Sequence, residues 1–198
     1  MKKEEIDCGG CAAGERCWQE RPAPGSGFLV RRARLLEPGE ELIRQASPFE
    51  GPYVVTSGCV SVTELLDDGI ERIVAFRVPG EMVGLESWQL PTHRYGARAV
   101  TSATLCRLRW SANGLAGRSN EVLRTLFAKS TMQLEQAQRP WAGLPAVARV
   151  RAFVEDFRRR AGPSLPMTRA QIGLHLGLAE ETVVRAFREI RLREVVGS

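Results

Sequence analysis

The stretch Met167–Arg193, MTRAQIGLHLGLAEETVVRAFREIRLR, decides the reading of this chain, because its spacing states a job by itself. Thr168 is placed to cap a short first helix, and Ile172 and Leu176 fall four residues apart on the side of that helix that would be buried. Gly177 supplies a tight turn with Leu178 packed beneath it, and a second helix begins near Glu180. There Val183, Phe187 and Ile190 recur at intervals of four and three and make the buried stripe. Glu181, Thr182, Val184, Arg185 and Arg188 are left for another face, and their chemistry suits base reading. Arginine reaches guanine bidentately, glutamate accepts from the cytosine amine, and threonine or valine methyls touch the thymine methyl. The pattern predicts a helix-turn-helix that binds DNA, with Thr168, Arg169 and Gln171 at the start of its first helix joining the contact set. An amphipathic hairpin with a solvated charged face is the plainer alternative, but Q-I-G-x-x-L-G-L followed by E-T-V-x-R is far more specific than amphipathicity.

Charge follows this segment. Of a net charge of +5 over 198 residues, a surplus of four resides in positions 140–198, where ten arginines face six acidic residues. Phosphate binding requires a basic surplus placed in this way. With 43% hydrophobic residues the chain can bury a core and hold two small domains. No apolar run approaches the roughly 18 residues of a membrane span. The start, MKKEEIDCGGC, is charged and lacks the apolar core of an export signal, so the expected location is the cytoplasm, where disulfides are a poor use for five cysteines.

Three of those cysteines sit in Cys8-Gly-Gly-Cys11-Ala-Ala-Gly-Glu-Arg-Cys17, with two and five residues between successive thiols. A loop rich in glycine can wrap such thiols around one centre. With no histidine nearby the ligand set is all sulfur, which selects zinc or an iron-sulfur cluster, and a fourth ligand must come from elsewhere. Cys106, in ATLCRLRW, is the candidate, although taken alone it would read as a core thiol. Cys59 reads as a core or sheet-face residue.

Between these ends the chain changes character twice. Pro22 to Gly27 is a linker, after which short apolar runs alternate with turn signals: FLVRRARLL, ELIRQ, YVVTS, CVSVTELL, IERIVAF and MVGL. Gly58, Gly69 and Gly80 fall eleven residues apart, and Asp68-Gly69 reads as a hairpin turn, so the spacing predicts a jelly roll or small double sheet. From Asn113 the period becomes helical. Leu123, Phe127, Ser130, Leu134, Ala137 and Trp141 alternate four and three apart, a seam long enough to meet a copy of itself or to pack on its own β domain. A further helix, Ala146 to Arg160, would pack Val147, Val150, Phe153, Val154 and Phe157 and end at Gly162-Pro163; its run Arg158-Arg159-Arg160 reads as a solvated helix end or a phosphate contact.

The order β-roll, long helix, helix-turn-helix resembles the plan of the Crp/Fnr family of bacterial transcription regulators. The likeness is carried by LLEPGEELI, VTSGCVSV, VPGEMVGLESW and TRAQIGLHLGLAEETVVRAF and spans essentially the whole chain. It implies an α+β fold in four parts: an arm over 1–25, a cyclic-nucleotide-binding-like β-roll over 26–110, a dimerisation helix over 111–141 and a helix-turn-helix domain over 142–198. The last part resembles a winged helix whose wing is cut short at Gly197-Ser198. Within the family, C-x2-C-x5-C plus one late cysteine is similar to the oxygen-sensing FNR branch. That likeness implies a [4Fe-4S] cluster on Cys8, Cys11, Cys17 and Cys106, dimer pairing through Leu123, Phe127, Ser130, Leu134 and Ala137, and anaerobic binding to a palindromic TTGAT-like site. Glu135 would oppose pairing by facing its twin. The implied partners are duplex DNA, a second copy and RNA polymerase, with no membrane and no enzymatic activity. One departure matters: Val184 stands where such readers present serine, so the half-site preference shifts beside the part read by Glu181 and Arg185.

Rival readings use the same fold. A cyclic-nucleotide-gated regulator would place Gly-Glu and Arg-Ser around the phosphate, whereas Gly84 is followed by Leu85 and Arg94 by Tyr95. A haem sensor would need an axial ligand, for which His93 is available in a loop; a thiol or zinc redox regulator would use the cysteines without iron. An iron-sulfur enzyme lacks its usual cysteine spacing, and no Ser/His/Asp set or carboxylate pair suggests hydrolysis.

Overall fold

Several of the turns between strands are made by glycines at positive φ. The computed structural model describes residues 28–32, 35–88, 90–110 and 143–196; the arm thiols Cys8, Cys11 and Cys17 and the seam from Leu123 to Ala137 lie outside them. The strands are β1 Phe28–Arg32, β2 Glu41–Ile43, β3 Tyr53–Ser57, β4 Val60–Leu65, β5 Glu71–Arg77, β6 Met82–Val83, β7 Gly96–Ala99 and β8 Thr104–Trp110. Among the described residues they make two antiparallel sheets of four, ordered β1-β8-β3-β6 and β2-β7-β4-β5. The glycines spaced by eleven all turn the chain at positive φ: Gly58 at 81°, Gly69 at 82° and Gly80 at 90°. The Asp68-Gly69 hairpin joins β4 to β5 as expected, with the Asp68 carboxylate accepting from the Ile70 amide at 3.0 Å.

Between the sheets lies an apolar core that includes Leu36, Ile43, Val55, Val60, Val62, Val83, Tyr95 and Leu105. Strand β7 is the element the sequence reading missed. Its four residues, GARA, carry no β-branched side chain, yet Ala97 and Ala99 are buried because β7 runs between β2 and β4. Small residues are what that interior position accepts, and they give no propensity signal.

Among the described residues three α-helices follow: α1 Ala146–Ala161, α2 Arg169–Leu176 and α3 Glu180–Val196. α1 buries Val150, Phe153, Val154 and Phe157 and ends at Gly162, φ 88°. These side chains join Met167, Ile172, Leu176, Val183 and Ala186 in a second core, which also takes Cys59, Ile73, Phe76 and Val78 from the sheets. β5 therefore serves both cores. Val74 faces the sandwich interior while Ile73 and Phe76 face the helices, which explains the unbroken burial from Ile73 to Arg77.

His175 of α2 sits at that junction, with its ring centroid 5.4 Å from Phe76 and 5.3 Å from Phe153 and with Nδ1 donating to the Ile73 carbonyl at 3.0 Å. Burial pushes its pKa below the ordinary 6.5, against the pull of the Ile73 hydrogen bond; Arg160 and Arg77 lower it further and Asp156 raises it. An imidazole depressed in the folded state gives stability that is complete above pH 6.5 and is lost as pH falls from there through the folded value. Denaturant unfolding from about pH 8 to about pH 5 should therefore show a steeper acid loss in the wild type than in His175→Phe, which keeps the ring. Equal slopes would remove His175 from the account. His93, also depressed by burial, leaves a residual slope in both.

Candidate nucleic-acid interface

The helix-turn-helix is built from its first residue. Thr168 holds an extended backbone, φ −72° and ψ 164°, and its hydroxyl accepts from the Gln171 amide at 3.1 Å. Gln171 returns the bond through its side-chain oxygen, which accepts from the Thr168 amide at 2.9 Å. Thr168 thus caps α2 as its position predicted, and Gln171 completes the capping box. α2 closes at Gly177 in the left-handed region, φ 64°, and the Leu178 amide donates to Gly173 O at 3.0 Å.

Gly173 has a reason that spacing alone does not reveal. A Cβ there would run into the backbone carbonyl oxygen of Leu178, so the residue lets the turn fold back onto its own helix. Gly173→Ala should cost about 2–3 kcal/mol, because backbone rather than a movable side chain stands in the way. The check is thermal unfolding beside Gly177→Ala, whose Cβ meets nothing within 4 Å and which pays only for its positive φ.

α3 packs Val183 and Ala186 into the second core with Phe187 and Ile190 against it. The opposite side presents Glu181, Arg185 and Arg188 to solvent, flanked by half-buried Thr182 and Val184. Among the described residues no carboxylate pairs with Arg185 or Arg188. An unpaired guanidinium on a rigid helix keeps its donor fork free for a base edge. Arg169 behaves differently. Its guanidinium lies 3.6 Å over the Phe187 ring, and burial, helped by the adjacent Arg191, lowers its pKa. Arg151, Arg158, Arg169 and Arg191, with Glu155 among them, line a cavity of about 500 Å³ together with Val154, Phe187 and Ile190, a surface of net positive charge that reaches α3.

One correction concerns α1. Arg160 is no solvated helix end: its Nη1 donates to both Glu81 oxygens, at 2.9 and 3.1 Å, across to the sheets, while Nε holds Asp156 at 2.9 Å. The run of three arginines carries no sign of this, since the partner lies 79 residues away.

Among the thiols, Cys106 and Cys59 are described. Leu105 points into the sandwich, so Cys106 belongs to the other face of its sheet, level with Val54 and, beyond it, Met82. Cys106 is 8% exposed there. Cys59 lies in the second core, where burial pushes its thiol up to about 12, the property of an inert core cysteine. Among the described residues no three His, Cys, Asp or Glu side chains gather into a metal group.

The nucleotide cradle is filled. Leu85 is 1% exposed and Tyr95 5%, and the space beside Gly84 is taken by the His93 ring and Ile43, with His93 Cε1 3.2 Å from where a Cβ would stand. Leucine and a core tyrosine do not fit a charged cyclic phosphate. His93, expected in a solvated loop, is instead buried against Phe49, ring centroids 5.1 Å apart.

Comparison with known proteins agrees with this architecture. Residues 33–113 match the model of the cyclic nucleotide-binding domain. The chain is 34% identical over 184 residues to the nitrogen fixation regulation protein FixK of Rhizobium meliloti, covering 88% of this chain and 82% of that protein. It is 31% identical over 182 residues to the transcriptional activator protein Anr of Pseudomonas protegens, covering 86% and 75%. The structure of FixK2 from Bradyrhizobium japonicum superimposes with a TM-score of 0.73 at 30% identity, over 84% of this chain and 86% of that one. Among the described residues no helix is long and apolar enough to cross a membrane.

Proposed function

The chain belongs to the Crp/Fnr family of transcription regulators, and on that premise we propose that it is an oxygen-responsive regulator that reads palindromic DNA as a dimer when oxygen is absent. The observation that carries the DNA half is the α3 surface: Glu181, Arg185 and Arg188 are exposed and, among the described residues, in no ion pair, on a helix locked from behind by Val183 and Ala186. Arg185 would take guanine, Glu181 the cytosine amine and Val184 a thymine methyl. Thr168, Gln171 and Thr182 would face the backbone, and Arg169 would bind phosphate from its seat on Phe187.

The sensing half rests on the thiols. Four sulfur donors, Cys8, Cys11, Cys17 and Cys106, fit an iron-sulfur cluster by the chemistry of the set, and Cys106 lies on a sheet face rather than inside the sandwich. When bound, a [4Fe-4S] cluster would supply an oxygen-labile link between the amino-terminal arm and β8. Leu123, Phe127, Ser130, Leu134 and Ala137 would form the pairing seam, with Glu135 opposing it, so that two recognition helices engage one site together. Contact with RNA polymerase follows as the next step of an activator.

The test is the visible spectrum, with iron and sulfide analysis, of protein purified without oxygen, alongside binding to a palindromic duplex before and after admitting air. A broad visible band, about four iron per chain, and loss of both colour and binding in air are expected. Colourless protein carrying zinc, with DNA binding indifferent to air, would move the sensing half to thiol chemistry and leave the DNA half standing.

A further inference from the structure

The two cores meet at β5, and two directed polar contacts cross that junction: the hydrogen bond from His175 to the Ile73 carbonyl, and the ion pair of Arg160 with Glu81. The Val78-Pro79-Gly80-Glu81 turn, closed by the Glu81 amide donating to Val78 O at 3.0 Å, aims the Glu81 carboxylate at the end of α1. The Val78 amide steadies that carboxylate at 3.3 Å, and Arg160 Nη1 meets both of its oxygens and the Phe76 carbonyl at 3.3 Å. Asp156, one turn back on α1, holds the guanidinium from the other side, and the group lies over the Phe157 ring at 5.6 Å. The side chains of Glu81 and Arg160 are only 11% and 24% exposed, so the pair is shielded from salt and water. Apart from the single His175 bond to the Ile73 carbonyl, the contact around it is apolar and permissive in angle: Phe76, Phe153, Phe157 and Val78 attract without direction. A carboxylate and a guanidinium have a direction.

We infer that Glu81 and Arg160 are positioning residues that set the angle of the helix-turn-helix on the β-roll, and through it the half-site spacing the dimer accepts. This inference rests on the reading of the protein as a dimer on palindromic DNA. In such a dimer the two reading helices must arrive about 34 Å apart, one turn of duplex. A helix-turn-helix that rocks on an apolar bearing reaches several spacings and fits none tightly. A pinned one favours a single spacing. Glu81 and Arg160 lie at the contact of the sheets with α1 and not on the exposed face of α3, so their effect appears in geometry and not in base preference.

The experiment measures full-length protein, purified without oxygen, on duplexes whose half-sites keep their sequence while the spacer changes in single base pairs. Wild type should prefer one spacing strongly. Glu81→Gln and Arg160→Gln should each flatten that preference by about tenfold while keeping the same preferred bases, and the double variant should be no worse than either single one. Asp156→Asn, which removes the partner on the same helix, should flatten it less. Arg160→Lys should recover part of the preference. Thermal unfolding of each variant separates loosened docking from lost fold: a spacing profile kept sharp in a destabilised protein would overturn the inference. So would multiplicative effects of the two single changes. If wild type bound no duplex of the series, the DNA-reading proposal itself would fall and carry this inference with it, whereas a sharp wild-type profile unaltered in the variants would sink the inference alone.

Discussion

Arg185→Ala is expected to weaken binding to the palindromic duplex by about 30-fold to about 2 × 10⁴-fold, because a bidentate arginine–guanine contact is worth roughly 1–3 kcal/mol and a symmetric dimer makes it twice. The structure gives the change a clean meaning. Arg185 is exposed, has no ion pair among the described residues and packs into neither core, so its removal leaves α3 standing on Val183, Ala186 and Phe187. Unfolding midpoints should stay within the narrow range of surface substitutions. Competition with altered duplexes gives the sharper readout. In wild type, replacing the guanine of the half-site should cost as much as removing Arg185, and in Arg185→Ala the same base change should cost nothing further. Arg151→Ala and Arg158→Ala, at the rim of the basic cavity, provide the contrast. If they touch phosphate they weaken every sequence alike and lower the salt slope by about one unit per contact. An Arg185 variant that behaved in that uniform way would show that α3 lies along the backbone and that base reading comes from elsewhere.

What the sequence disclosed and what it hid divide along one physical line. Local chemistry was legible. The cap at Thr168, the turn at Gly177, the stripe through Val183 and the turn glycines Gly58, Gly69 and Gly80 are all set by residues a few positions apart, although Gln171's answering bond to Thr168 was not read. Contacts made across the fold left no local trace. Arg160 looks like any basic helix end until Glu81 is brought to it, and His175 looks like a solvated helix residue until Phe76 and Phe153 enclose it. Strand β7 was hidden for a related reason: an alanine strand is chosen by the width of the space between its neighbours, which only the assembled sheet defines. Both cores were half visible, since IERIVAF announces a strand buried on both faces without saying that one face meets the sandwich and the other meets α1 and α2. The cysteine arm and the pairing seam were readable as sequence alone, and they lie outside the described residues.

The second large effect is expected from Cys106. In Cys106→Ala, iron should fall from about four per chain to almost none, and anaerobic affinity for the palindrome should drop by about 10²-fold as two half-sites cease to act together. The β-roll itself should survive. Cys106 is buried on the face of β8 that points away from the sandwich, beside Val54, whereas the sandwich interior is held by Leu105, Val55 and Val83. Cys59→Ala is the matched control. Its thiol is as buried, but it packs against α1 and α2 and is held protonated, so its loss should cost stability and leave iron and spectrum unchanged. The two variants therefore separate a ligand from a filler by opposite signatures, iron without much stability in one and stability without iron in the other. Cys8→Ala, Cys11→Ala and Cys17→Ala should follow Cys106→Ala. If the three arm variants lost iron while Cys106→Ala kept it, the fourth ligand would lie elsewhere, and the proposed link between the arm and β8 would have to be abandoned even though the cluster remained.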